Sequence, residues 1–356
     1  ELGMPIALRT SAIGVAAAGG PLVGGALTAH FGWRSAFFLG VLPAVAIALL
    51  VLLVREPERA APPRPAGLDP GGVLLLGTAL ACLVTALVTL PGAGWSAGSV
   101  LALCGTALAG VLLVRHERRA PSPLLPPSFV GSPAVVAALG ILLAASAALF
   151  GALFVASYFL QDVLGLDALD TALRMLPAAL CMILAAPLSA KLLRRYGARA
   201  STGAGMLVLA LGVLGFGRLD STATAPAVAA CAFAMGAGFG TVMVSATEVL
   251  VRRAAEGEAG VAGGLQQTAM NVGPTLGVAL ATMLLASGSD FTASMEPTLT
   301  ALAVPVCAGA VAARWLPSRV SARCRRSAPA PPAAAAPPPR TSPASPGPAG
   351  PPTPGR

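Results

Sequence analysis

Gly14-Val-Ala-Ala-Ala-Gly19-Gly20-Pro21-Leu22-Val23-Gly24-Gly25 lies in the first apolar stretch of the chain, and the polar turn Phe31-Gly32-Trp33-Arg34 comes after it. Glycines every four or five residues clear one face of a helix so that a neighbouring backbone can come close. Pro21 removes a backbone donor and bends the helix there. In lipid this is a packing and bending device, so the first segment reads as a membrane helix shaped to press on another.

The rest of the chain extends that reading. Hydrophobic residues make up 56% of the 356 residues and charged residues 10%, against roughly 25% charged in a soluble domain. Mean hydropathy is +0.80. A bilayer core takes about 20 mostly apolar residues per helix. Ten segments qualify: 6–29, 35–54, 71–90, 97–114, 133–160, 171–193, 201–216, 226–249, 261–286 and 298–315. The class is an all-α polytopic membrane protein of about ten transmembrane helices.

The formal charge of +9 is arranged by side of the membrane. With the N-terminus taken as cytoplasmic, twenty of the 23 Lys and Arg fall on that side: Arg9 and the groups at Arg55–Arg64, Arg115–Arg119, Lys191–Arg199, Arg252–Arg253 and from Arg314 onward. The opposite turns hold Asp162, Asp167, Asp170, Asp220, Asp290 and Glu296. The positive-inside rule then predicts a multi-pass cell-membrane protein with both termini of this chain cytoplasmic. No basic stripe with interleaved aromatics exists, which excludes nucleic acid as a partner. One Lys against 22 Arg, with heavy Ala, Gly and Pro use, suggests a bacterium with a GC-rich genome.

The Gly14–Gly25 spacing resembles the antiporter motif on the fifth helix of drug:proton exporters of the major facilitator superfamily. Trp33-Arg34 with Pro43 resembles the turn and sixth helix of the fourteen-span branch. The resemblance assigns Gly14, Gly19, Gly20, Pro21, Gly24 and Gly25 to the motif. It also orders the chain: 1–54 as the last two helices of an N-terminal bundle, 55–70 as a charged, proline-rich cytoplasmic linker, and 71–114 as two extra central helices. A second linker occupies 115–132, then a six-helix C-terminal bundle 133–316, and a disordered Pro/Ala/Arg-rich tail 317–356. Residue 1 is Glu and no leader precedes the first span, so the chain is expected to match helices five to fourteen with the first four missing.

Several side chains are candidates for a transport path. Gly260, Gly264, Gln267, Asn271 and Thr275 recur every three or four positions and form one polar, small stripe on a helix. Such a face needs partners on a neighbouring helix or in a water-filled cavity, and both readings stay open. This segment resembles the thirteenth helix of the fourteen-span exporters. Tyr158 and Gln161 are candidates for a cavity or gate, although an interfacial anchor is the commoner role for an aromatic placed as Tyr158 is. Arg174 either pairs with Asp170 or Asp167 in an outer gate or snorkels. Glu248 is a weak proton-relay candidate, since Arg252 stands one turn away and invites a local ion pair.

Other chemistry is not expected. Gly236-Ala-Gly238-Phe-Gly240 lies within an apolar span and reads as helix packing rather than a phosphate loop. Lys191–Arg199 resembles a degenerate basic loop motif of the superfamily. His30 and His116 have no Cys or carboxylate at ligand spacing, and five of six cysteines sit in spans as small apolar packers, so no metal site is predicted. No nucleophile–base pair appears, so no catalytic residues are assigned and an enzyme is not expected. The resemblance implies a proton-coupled exporter of drugs or other amphipathic small molecules. Protons and the lipid bilayer are then its partners, with no cofactor and no obligatory protein partner. The alternatives are another small-metabolite cargo, or a non-transporting fragment or membrane scaffold.

Overall fold

A computed structural model describes residues 20, 23–28, 30–53, 69–119, 129, 131–254, 259–288 and 290–318. Gly14, Gly19 and Pro21, the two proposed linkers for most of their length, and the tail lie outside these residues. The described residues are almost wholly helical, without a strand. Residues 23–28 are helical, followed by α1 (Trp33–Leu39), α2 (Val41–Leu53), α3 (Pro70–Ala93), α4 (Ala97–Glu117) and α5 (Pro133–Tyr158). After a π-helical turn at Phe159–Val163 come α6 (Ala168–Phe216), α7 (Ala225–Arg253), α8 (Ala259–Ser287) and α9 (Phe291–Ala312), closed by a 3-10 turn at Ala313–Trp315. One structural unit covers Glu1–Val320, and a second, Ser321–Arg356, lies outside the described residues.

Eight stretches among the described residues are long and apolar enough to cross a bilayer. One of these stretches, Pro187–Phe216, runs across a break in α6, which is two helices. Gly197 interrupts it at φ 84° and ψ 169°, a left-handed φ that costs glycine nothing. Close contacts show that the chain reverses there. Gly236 of α7 lies against Ala178 and Gly240 against Met182 and Ala185, so 168–196 (α6a) runs parallel to α7. Gly205 lies against Gly238 and Thr241 while Gly212 lies against Met235, so 198–216 (α6b) runs antiparallel to it. The expected loop at Lys191–Arg199 is therefore a single-residue break: Lys191 to Tyr196 continue the helix, because their basic side chains reach past the span without unwinding its backbone. The first predicted span, 6–29, lies mostly outside the described residues.

The same glycines explain why α7 can sit between two helices. Gly236 and Gly240 share one face and Gly238 takes the other, and a Cβ at Gly236 or Gly238 would collide with backbone of Ala178 or Leu209. Hydroxyls add polar links at this level: Ser189 bonds Thr241 at 3.1 Å and Thr202 bonds Ser245 at 2.8 Å. The centre of the bundle is α5, where Val135, Ala138, Leu142, Ala145, Ala148, Ala152 and Val155 are fully buried. Small side chains dominate because lipid offers no hydrophobic drive and packing distance decides.

The spans have an acidic end and a basic end. Arg218 after α6b pairs with Glu296 of α9 at 2.7 Å, and Tyr158 of α5 stacks near Phe291 of α9, which puts these termini together. α9 begins seven residues before the predicted 298 because Glu296 has this partner and stays at the surface. α3 and α4 form a hairpin closed by His116 Nε2 at 2.8 Å from Asp69 Oδ1. Asp69 also accepts from the Gly72 amide at 3.0 Å and so caps α3. That amide first, and His116 second, hold the Asp69 carboxyl below the usual carboxylate range. His116 thus does meet a carboxylate, 47 residues away in sequence, where local spacing gave no sign of one. Among the described residues no group of three or more His, Cys, Asp or Glu forms a metal site.

Candidate functional site

The two faces of α8 do different work. Its inner face carries Ala262, Ala269, Gly273, Gly277 and Ala281. A Cβ at Gly273 would collide with Ser146 and Leu143 of α5, and one at Gly277 with the Ala147 carbonyl. Glycine at both positions is what allows this crossing. Gln266 also turns inward and donates to Thr247 of α7 at 2.8 Å.

The outer face carries the stripe. Gly260, Gly264, Gln267 and Asn271 are exposed, and a Cβ at Gly260, Gly263 or Gly264 would meet open space. Gln267 donates to Asn271 at 3.3 Å, a long contact along the same helix. Thr268 and Thr275 return their hydroxyls to the carbonyls of Gly264 and Asn271. The hydroxyls are satisfied locally, but each carboxamide has two donors and an acceptor oxygen with two lone pairs, and most of that capacity is unused among the described residues. Gln267 lies eight residues and Asn271 twelve residues beyond Ala259, or about 12 and 18 Å along the helix axis. This depth is inside the hydrocarbon of a bilayer, where an unsatisfied amide costs several kcal/mol. The face can therefore meet water or another protein surface but not lipid. Among the described residues the amide that joins α8 to another helix is Gln266.

The other candidates stand apart from the stripe. Tyr158 is about half exposed and lies in an aromatic cluster, its ring 5.2 Å from Phe154 and 6.1 Å from Phe291. Gln161 is exposed on the π-helical turn. Both are at the acidic end, roughly 10 Å or more beyond the level at which Gly277 crosses α5. Arg174 is half-buried and, among the described residues, pairs with neither Asp170 nor Asp167. Asp167 instead caps α6 by accepting from the Asp170 amide at 2.7 Å. The acidic end is latched by Arg218 and Glu296. Glu248 accepts from Arg252 at 2.5 Å near the basic end.

Of the glycine motif, Gly20 and Gly24 have open space around them, and Gly25 is packed: a Cβ there would come within 3.1 Å of the Ala168 carbonyl and the Ala172 methyl. The close approach in this part of the motif is thus made at Gly25, against the acidic end of α6a. Sequence reading missed a cavity of about 1070 Å³, walled by α3, α5, α8 and α9 with Leu87, Pro91, Leu280, Met283 and Trp315 on its surface. Its lining is apolar residues of ordinary spans, which carry no distinguishing signal. It occupies a different face of α8 from the stripe.

Comparison with known proteins decides what kind of molecule this bundle belongs to. A sequence model described as the Major Facilitator Superfamily matches residues 1–278 and 178–344. The chain belongs to that superfamily. It is 34% identical over 298 residues to the tetracenomycin C resistance and export protein of Streptomyces glaucescens, covering 81% of this chain and 53% of that protein. It is 29% identical to the multidrug resistance protein Stp of Mycobacterium tuberculosis, over 84% of this chain and 55% of Stp. It is also 29% identical to the multidrug efflux pump LfrA of Mycolicibacterium smegmatis, over 87% of this chain and 62% of LfrA. The chain thus spans about half the length of the curated relatives it matches. As a superfamily member with eight apolar helical stretches, it is a multi-pass membrane protein of a transporter family.

Proposed function

We propose that this chain is part of a secondary active exporter of drugs or other amphipathic organic compounds, driven by the proton gradient and working by alternating access. The observation that carries this reading is the outer face of α8. Two amides stand at membrane depth, approached along three open glycines at the start of the helix, with no partner from another described helix, although the same helix uses Gln266 and Gly277 to pack inward. A polar, sterically open face at that depth suits the wall of a water-filled path that amphipathic cargo can enter. In this reading 133–316 is the C-terminal bundle, 71–114 the two extra helices and 1–54 the end of the N-terminal bundle. The basic end faces the cytoplasm, as the positive-inside rule expects.

Glu248 is not given the proton-relay role, because Arg252 neutralises it close to the basic end. Arg174 and Tyr158 belong to the acidic-end gate region, with Gln161 at its rim. A narrower cargo is a second reading, favoured by the relative named for tetracenomycin C export. Both readings are tested by Asn271→Ala in the complete gene product. A cavity role predicts altered relative export across a panel of cationic and neutral drugs, normalised to folded protein. One common scaling factor for all drugs would assign the amide to packing. Export of a single compound from the panel would select the narrow reading.

A further inference from the structure

At the basic end a second cavity, about 480 Å³, opens between the chain reversal that starts α6b and the segment leaving α9. Tyr196 and Arg199 line it from the first side, Arg314 and Ser318 from the second, and Gly203 and Val311 form its deeper wall. The two sides are tied by the Arg199 amide donating to the Pro317 carbonyl at 3.2 Å. The two guanidinium-bearing residues are therefore held on one scaffold rather than scattered over a surface.

Their charge is uncompensated among the described residues. Arg252 has Glu248 and Arg218 has Glu296, but neither Arg199 nor Arg314 pairs with a carboxylate there. The sequence after Ser318 adds six arginines and no Asp or Glu side chain. The aromatic residue on its lining is Tyr196, over whose ring Arg195 lies at 5.3 Å, and Trp315, which faces the apolar cavity, sits beside it with Arg314 4.8 Å over its ring. Trp and Tyr at a span terminus mark the headgroup level of a bilayer. Below that level Val311 is 57% exposed on the cavity side of α9. Cationic mouth, aromatic rim and apolar wall succeed one another in the order in which a phospholipid presents phosphate, glycerol and acyl chain.

We propose that this cavity binds an anionic phospholipid, its headgroup phosphate held by Arg199 and Arg314 and its upper acyl chain lying along the Gly203 and Val311 wall. Guanidinium groups suit phosphate because their planar donors match two oxygens at once, and basic pockets between membrane helices favour anionic headgroups. A soluble phosphate would use the mouth but gain nothing from the wall. The site lies at the opposite end of the bundle from Tyr158 and Gln161, and it does not depend on the cargo proposed above.

The test is lipid retention by the full-length protein purified in detergent, read by native mass spectrometry with phosphatidylglycerol, phosphatidylcholine and soluble glycerol phosphate as probes. Arg199→Gln with Arg314→Gln should weaken phosphatidylglycerol retention by about tenfold or more, while Arg118→Gln with Arg119→Gln, at the same end but outside the cavity, should not. Phosphatidylcholine should be retained far less by the wild type, and glycerol phosphate should not displace the bound lipid at equal concentration. Equal retention by the cavity pair and the wild type would overturn the proposal, as would equal retention of the two lipids. Displacement by glycerol phosphate would show a simple anion site instead of a lipid site. If the double variant does not stay monodisperse, each single Arg→Gln variant carries the test. A several-fold loss is expected in each, and no loss in either refutes the assignment.

Discussion

Gly277 and Gln267 stand ten residues apart on one helix, and the difference between their surroundings shows how single residues act in this bundle. At Gly277 any side chain would strike the Ala147 backbone, which cannot give way. Gly277→Leu should therefore destabilise the protein by about 3 kcal/mol, the upper part of the range for overpacking, seen as a lower midpoint in detergent thermal denaturation. Gly264→Leu, at a position with open space, should leave that midpoint nearly unchanged while reducing export. The polar stripe was legible in the sequence because its period is that of a helix. The division of labour between Gln266 and Gln267 was not, since adjacent amides look alike until a partner such as Thr247 is placed. Pairing of Arg174 with Asp167 or Asp170 is the local expectation, but the Asp167 carboxylate caps the helix by accepting from the Asp170 amide, and the ion pair at that end forms between residues far apart in sequence.

At the scale of elements, apolar length and the alternation of charge located most helices, because lipid demands long internally bonded segments and punishes buried charge. What they could not locate were joints made by one residue. Gly197 reverses the chain without a loop, so two crossings form one continuous helical assignment. Gly197→Ala should strain the reversal, since a left-handed φ suits glycine alone, and should increase proteolysis between α6a and α6b in detergent. The α3–α4 hairpin is closed by Asp69, which is held below its ordinary value of 3.8 chiefly by the Gly72 amide and then by His116. With the folded value depressed, the unfolded chain takes up protons first as pH falls. The contribution of Asp69 is complete above 3.8 and is lost as pH drops through the lower folded value. Between about pH 5 and 8 Asp69 itself imposes no slope on stability. Asp69→Asn should therefore lower hairpin protection in hydrogen exchange at neutral pH. The gap to wild type should close in strong acid, and a gap unchanged there would refute the role of the Asp69 charge.

For the whole molecule, two kinds of surface stand open among the described residues: long apolar faces such as those of α1 and α2, and the polar face of α8. Apolar faces meet lipid or other helices without cost, whereas the α8 face has a defined requirement for water or polar partners. The proposed export reading meets that requirement with water that the cargo shares. In cells expressing the complete gene, a protonophore should abolish drug export at unchanged protein level, and export sustained without a proton gradient would refute the coupling. Cysteine introduced at Ser221, at the acidic end, should label from outside the cell, and at Ser318 only after permeabilisation. The most direct measurement is solvent accessibility at the stripe in a cysteine-free background. Asn271→Cys should react with a small, water-soluble thiol reagent and be protected by a transported drug, while Met283→Cys on the apolar cavity should stay inert. Reaction at Asn271→Cys no faster than at Met283→Cys, or no protection by any exported drug, would contradict the claim that α8 lines a transport path.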